Sequence, residues 1–202
     1  LLATPLPWLT AAPALPTGTG GAELRVASAN VHVSSSDIAP LAAWLRHTQP
    51  DLLVLLEVSP QYAKALELLP GYAYRLIHAD SSPFGIALLS RLPLTHSAMV
   101  TDDQGIPHLR ATLRLRELLE QSGTQPALLA GDLNATPWSS AFAGLDSLGW
   151  RRASGLTPTW PSMGAGVMGI PIDHVLATRH WHLLDQEHGP QIGSDHLPVL
   201  VR

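Results

Sequence analysis

The 202-residue sequence contains no cysteine, which excludes disulfides and thiolate metal sites but leaves the redox compartment open. Lysine occurs once, at Lys64, so arginine supplies nearly all the basic charge, and acids exceed bases to give a net charge of −4. A protein that grips nucleic acid mainly through its phosphates carries a clear Lys/Arg excess, and this chain does not. Arginine suits fixed, bidentate phosphate contacts, although a codon-usage bias would produce the same preference. A membrane-spanning segment is also lacking. The apolar opening, residues 1–16, is broken by Pro5, Pro7, Pro13 and Pro16, is too short to cross a bilayer, and lacks the basic start of a signal peptide. Residues 1–22 are expected to be a flexible leader and linker; the other reading is the outer end of a removed membrane anchor.

What is present suffices for one core, because 46% of the residues are hydrophobic. No repeat or second-domain boundary is visible, so residues 23–202 are read as one domain. Strands are expected at residues 24–30, 52–56, 74–78, 86–90, 108–115, 127–130, 174–177 and 197–201. The run at 52–56 is continuous enough for a buried central strand, and 108–115 alternates with Leu109, Ala111, Leu113 and Leu115 on one face. Ile38, Leu41, Ala42 and Leu45 fall at helical spacing behind Asp37, read as an N-cap, and Pro50 stops that helix. Ser59-Pro60 is an N-cap followed by proline at the first helical position of a second helix. Many strands with few helices between them predict a layered α/β sandwich rather than a strict βαβ repeat.

Polar residues gather where the expected strands end. In Gly131-Asp132-Leu133-Asn134, alternation would send Asp132 and Asn134 to the same side; an Asx turn explains the same pair conformationally. A carboxylate and a carboxamide so placed can orient a water and stabilise a developing oxyanion. Asp195-His196 lies just before the last strand, and the pair can serve a metal and a phosphate or be an ordinary loop. Asp173, heading an apolar strand, can orient an imidazole by accepting its Nδ1 proton. Glu57 abuts a buried strand, where a charge usually has a partner or a metal. Asn30 and His32 stand at strand spacing.

These motifs, in this order, resemble the endonuclease/exonuclease/phosphatase superfamily with its DNase I-like fold. The matching stretches are Arg25–Val31, Pro50–Val58, Phe84–Arg91, Gly131–Asn134, Ile172–Leu176 and Ser194–His196. With Pro158-Thr-Trp-Pro161, the likeness is to the bacterial branch that often carries N-terminal membrane helices. The resemblance implies a four-layer α/β/β/α sandwich of two packed mixed sheets and hydrolysis of phosphate esters with Mg²⁺ or Mn²⁺. It implies that Asn30, Glu57 and Asp195 are metal ligands and that Asp132 orients or deprotonates the attacking water. Asn134 would stabilise the transition state, and His196, held by Asp173, would contact the phosphate. The substrate would be a nucleic acid, phosphoinositide or phospholipid, the chain a monomer, with a membrane tether ahead of residue 1 and the domain outside the cytoplasm.

The pattern breaks in one place. The strand at 108–115 runs directly into a helical pattern at Leu115, Leu118 and Leu119, with no loop between. The resemblance implies a further central strand there, ending in a phosphate-binding histidine, and residues 114–126 contain no histidine. Either a segment of roughly two to three dozen residues has been excised from this sequence, or the deletion is real and opens the sheet. A catalytically impaired member, used as a binding or membrane-associated module, is the alternative function.

Overall fold

Two apolar runs, Val-Ala-Ser-Ala-Asn and Leu-Leu-Val-Leu-Leu, form the adjacent parallel strands β1 (Val26–Asn30) and β2 (Leu52–Leu56), with Asn30 opposite Leu56. The structure is a computed structural model that describes residues 23–103, 105–113, 126–163 and 169–202. The crossover between β1 and β2 is helix α1 (Ala39–Thr48), and α2 (Pro60–Glu67) follows β2. Antiparallel strands β3 (Tyr74–His78) and β4 (Ile86–Ser90) extend the sheet on one side. From the C-terminal part, β10 (Gln186–His188) and β11 (Val199–Val201) complete it on the other, in the order β10-β11-β1-β2-β4-β3.

The second layer has two pieces. One is the hairpin of β5 (Leu94–Thr101) and β6 (Pro107–Leu113); the other is an antiparallel sheet in which β9 (Asp173–Thr178) lies between β7 (Leu128–Asp132) and β8 (Trp150–Arg152). Among the described residues no strand joins the two pieces. The loopless junction and the helical pattern at Leu115, Leu118 and Leu119 lie outside the described residues.

Alternation sorts the two faces of the six-stranded sheet. Ala27, Ala29, Leu53, Leu55, Ala87 and Leu89 point toward α1 and α2, meeting Leu41, Trp44, Tyr62 and Leu66 in the first core. Val26, Leu52, Val199 and Val201 point the other way, onto Val175 and Ala177 of the second layer. This is the mixed α/β architecture expected of a DNase I-like chain. Both described α-helices cover the same side of the six-stranded sheet; among the described residues no α-helix covers the outer face of the second layer.

Local starts follow the sequence with one correction. Ser59 caps α2, its Oγ accepting the Tyr62 N–H at 3.2 Å, with Pro60 at the first position. Asp37, however, is not the N-cap of α1. That place falls to Ile38, already helical at φ −82°, and Asp37 instead accepts the Ala39 N–H at 2.8 Å in a turn one residue earlier.

Candidate active site

Strand register brings the polar motifs to one end of the molecule. Asn30 ends β1, Glu57 follows β2, and Asp132 at the end of β7 pairs with Asp173 at the start of β9. Strand β1 packs against both β7 and β9, so the two layers meet where these residues lie. His32, Glu57 and Asn134 all have left-handed backbones there, with φ of 60°, 57° and 47°. Non-glycine residues in that region are uncommon and gather at sites where the surrounding fold over-determines them.

Asp132 and Asn134 do come together, but not by alternation. Strand β7 ends at Asp132, and Asn134 turns back so that its N–H donates to Asp132 Oδ1 at 2.9 Å. The turn leaves Asn134 exposed and Asp132 half-buried beside the buried Asn30.

Asp132 begins a buried acid–base chain. Its Oδ2 lies 3.8 Å from His196 Nε2, and His196 Nδ1 lies 2.8 Å from Asp173 Oδ2. The second oxygen of Asp173 is buried without a hydrogen-bond partner. Burial raises the pKa of Asp132, and the charge of Asp173 raises it further, against smaller lowering effects from the Asn134 N–H, His196 and Asn30. For His196, burial pulls downward, but the Asp173 hydrogen bond and the charges of Asp173, Asp132 and Asp195 outweigh it and raise the pKa.

Glu57 is held on the other side of Asn30. Its Oε1 accepts from Asn30 Nδ2 at 2.9 Å, and its Oε2 accepts from the Val33 N–H at 2.9 Å. Each carboxylate oxygen keeps a further lone pair. The residue behind it is pinned by Gly85, whose carbonyl accepts the Val58 N–H at 3.1 Å. A Cβ on Gly85 would stand 2.1 Å from Val58 O, so only glycine permits this approach.

Asp195 is exposed and its Oδ2 accepts from the Trp160 indole N–H at 3.0 Å, with the indole 6.4 Å from the His196 ring. It lies outside the group of Asp132, Asp173 and His196, whose ligand atoms fall within 4.8 Å of one another. The site as a whole suits a hard cation. It offers carboxylate and carboxamide oxygens, and among the described residues no arginine or lysine forms an ion pair with Glu57, Asp132, Asp173 or Asp195.

One organiser was not singled out from sequence. Thr159 is fully buried, and its Oγ1 accepts from both the Ile172 and Asp173 N–H groups at 3.1 Å. Its carbonyl accepts the Leu197 N–H at 2.8 Å, so one residue fixes the backbone beside both Asp173 and His196. Ser162 secures the intervening loop, donating from its N–H to Asp195 O and from its hydroxyl to Ser194 O. Trp138 and Trp160 are exposed, whereas Trp181 packs against the second core.

The fold recurs in solved structures. The chain shares its fold with the 3′ phosphatase NExo from Neisseria bound to product DNA hairpin, at a TM-score of 0.69 and 19% identity over 89% of this chain and 99% of that one. It is similar to an endonuclease/exonuclease/phosphatase from Beutenbergia cavernae, with a TM-score of 0.66, 18% identity and coverage of 88% and 70%. For TDP2 from Caenorhabditis elegans the TM-score is 0.60 at 15% identity, covering 88% and 74%. No curated protein sequence matches. The sequence profile of the Endonuclease/Exonuclease/phosphatase family matches residues 27–196, a span that takes in every residue of the site, and the chain belongs to that family.

Proposed function

We propose that this chain is a divalent-metal-dependent phosphoesterase that cleaves a phosphodiester or phosphomonoester by attack of water. The observation that carries the reading is the buried Asp132–His196–Asp173 chain set beside Asn30 and Glu57 at one mouth. Residues 23–202 form the catalytic unit, and the family match lies within it.

In this reading Asp132, whose only ion-pair partner among the described residues is His196, orients the water and takes its proton. Its raised pKa brings it nearer to the strength a general base needs. His196 keeps its proton, because Asp173 stabilises the imidazolium, and donates from Nε2 to a phosphoryl oxygen. The exposed amide of Asn134 donates to the charge that develops on the phosphorus-bound oxygens. Glu57, Asn30 and Asp195 would hold Mg²⁺ or Mn²⁺, and the ion would supply Lewis-acid chemistry at the phosphate.

A DNA end is the first substrate to test, since the Neisseria relative of this fold was captured with a product DNA hairpin. The second reading, an impaired member that binds without turning over, draws on the absence of a histidine from residues 114–126. A panel of 3′-phosphorylated DNA, inositol phosphates and phospholipid diesters with Mg²⁺ or Mn²⁺ separates the two. Turnover of any one supports hydrolysis; metal binding without turnover supports the second reading.

A further inference from the structure

His174 follows Asp173 on β9, so its side chain leaves the opposite face of the strand, away from His196. It is fully buried, edge-on to Phe142 with ring centroids 4.8 Å apart. A histidine in such a place is commonly a core filler whose nitrogens find whatever partners are near. Here the partners are specific. Nε2 lies 2.8 Å from the carbonyl oxygen of Ala135, and Nδ1 lies 3.3 Å from Ser154 Oγ.

A carbonyl only accepts, so Nε2 carries the hydrogen, and in the neutral ring Nδ1 is then an acceptor. Ser154 meets that need. Its Oγ accepts the Val175 N–H at 3.2 Å and turns its own hydrogen to Nδ1. Burial lowers the His174 pKa and the Arg152 charge lowers it further, against opposing effects of the Ala135 and Pro171 carbonyls and of Asp173. In the neutral ring, the 2.8 Å approach of Nε2 to Ala135 O puts the single hydrogen on Nε2.

Ala135 directly follows Asn134. The left-handed turn at Asn134 is thus tied at both ends, by its own N–H on Asp132 Oδ1 and by the next carbonyl on His174 Nε2. We propose that His174 is a positioning residue: as the Nε2–H tautomer, oriented by Ser154, it fixes the loop that presents Asn134 and Asp132 to the reacting phosphate. This rests on the phosphoesterase reading only for its effect on rate; the tether itself can be measured without turnover.

The test compares His174→Phe, which keeps a ring but removes both hydrogen bonds, with His174→Gln, whose amide can still donate to Ala135 O. Amide hydrogen exchange across residues 133–136 is expected to speed up about tenfold or more in His174→Phe and to stay near wild type in His174→Gln. With an active substrate, kcat is expected to fall about 10- to 100-fold in His174→Phe at nearly constant KM, with recovery in His174→Gln. Equal exchange in wild type and His174→Phe overturns the proposal. So does a fall in kcat that His174→Gln shares fully. Should the Phe variant not fold, long-range ¹H–¹⁵N NMR of the unaltered protein decides, since an Nδ1–H tautomer is incompatible with the tether. A wild type that hydrolyses nothing but shows the exchange and tautomer results would sink the phosphoesterase reading and leave the tether standing.

Discussion

His196 Nδ1 lies 2.8 Å from Asp173 Oδ2, with both side chains buried, so the imidazole is fixed in direction and its Nε2 is turned toward Asp132. The aspartate does two things at once: it selects the Nδ1–H form and stabilises the protonated ring. Asp173→Asn keeps the volume but removes the charge. It is expected to lower the His196 pKa and to cut turnover by about 100- to 10,000-fold, with the melting transition retained. Histidine NMR titration and steady-state kinetics on the same variant check both effects.

The pH–rate profile should be a bell whose two limbs are both displaced upward. On the acid side activity rises as Asp132 loses its proton, above the ordinary 3.8 of an aspartate. On the alkaline side it falls as His196 loses its own, above the ordinary 6.5. The limbs report the coupled site rather than isolated residues. In Asp173→Asn the alkaline limb should move to lower pH, because the partner that holds the proton has lost its charge.

Stability of the metal-free protein should carry the same signature. The folded state holds the His196 proton more tightly than the unfolded chain does, so the stabilisation is complete below pH 6.5 and is lost as pH rises through the raised folded value. Asp132 acts in the same direction, its loss beginning above 3.8. Urea unfolding in the presence of a chelator, from about pH 6 to about pH 9, should show falling stability in wild type and a flatter dependence in His196→Gln.

Gly85→Ala should be costly at a distance from the acid–base chain. The new methyl would press on Val58 O, one residue beyond Glu57, and the backbone must shift to admit it. A loss of about 1–3 kcal/mol is expected by chemical denaturation, together with weaker divalent-metal binding by calorimetry.

Much of this site was legible because the six-stranded sheet is built from unbroken apolar runs. Val26–Asn30 and Leu52–Leu56 announce themselves, and the polar residues at their ends then fall at one mouth. Less legible were β5, β8 and β10, which were not anticipated. Strand β5 is mostly exposed and carries a register shift between Thr95 and Ala98, so it shows no alternation, and the other two are three-residue edge strands. For the Asp132–Asn134 pair the sequence leaves alternation and an Asx turn both open; the strand stops at Asp132, and the contact is the Asx turn. Thr159 could not be read as an organiser, because its partners Asp173 and Leu197 lie far along the chain. The same holds for Trp160 and Asp195, separated by 35 positions yet joined by one hydrogen bond.

The most direct measurement is turnover of an activated phosphate diester with Mg²⁺ or Mn²⁺ by wild type, Asp132→Ala and His196→Ala, each checked for folding by circular dichroism. The expected result is metal-dependent hydrolysis by wild type that chelation abolishes and that each substitution lowers about 100-fold or more. Rates unchanged in both folded variants would contradict the assignment of the reaction to this site.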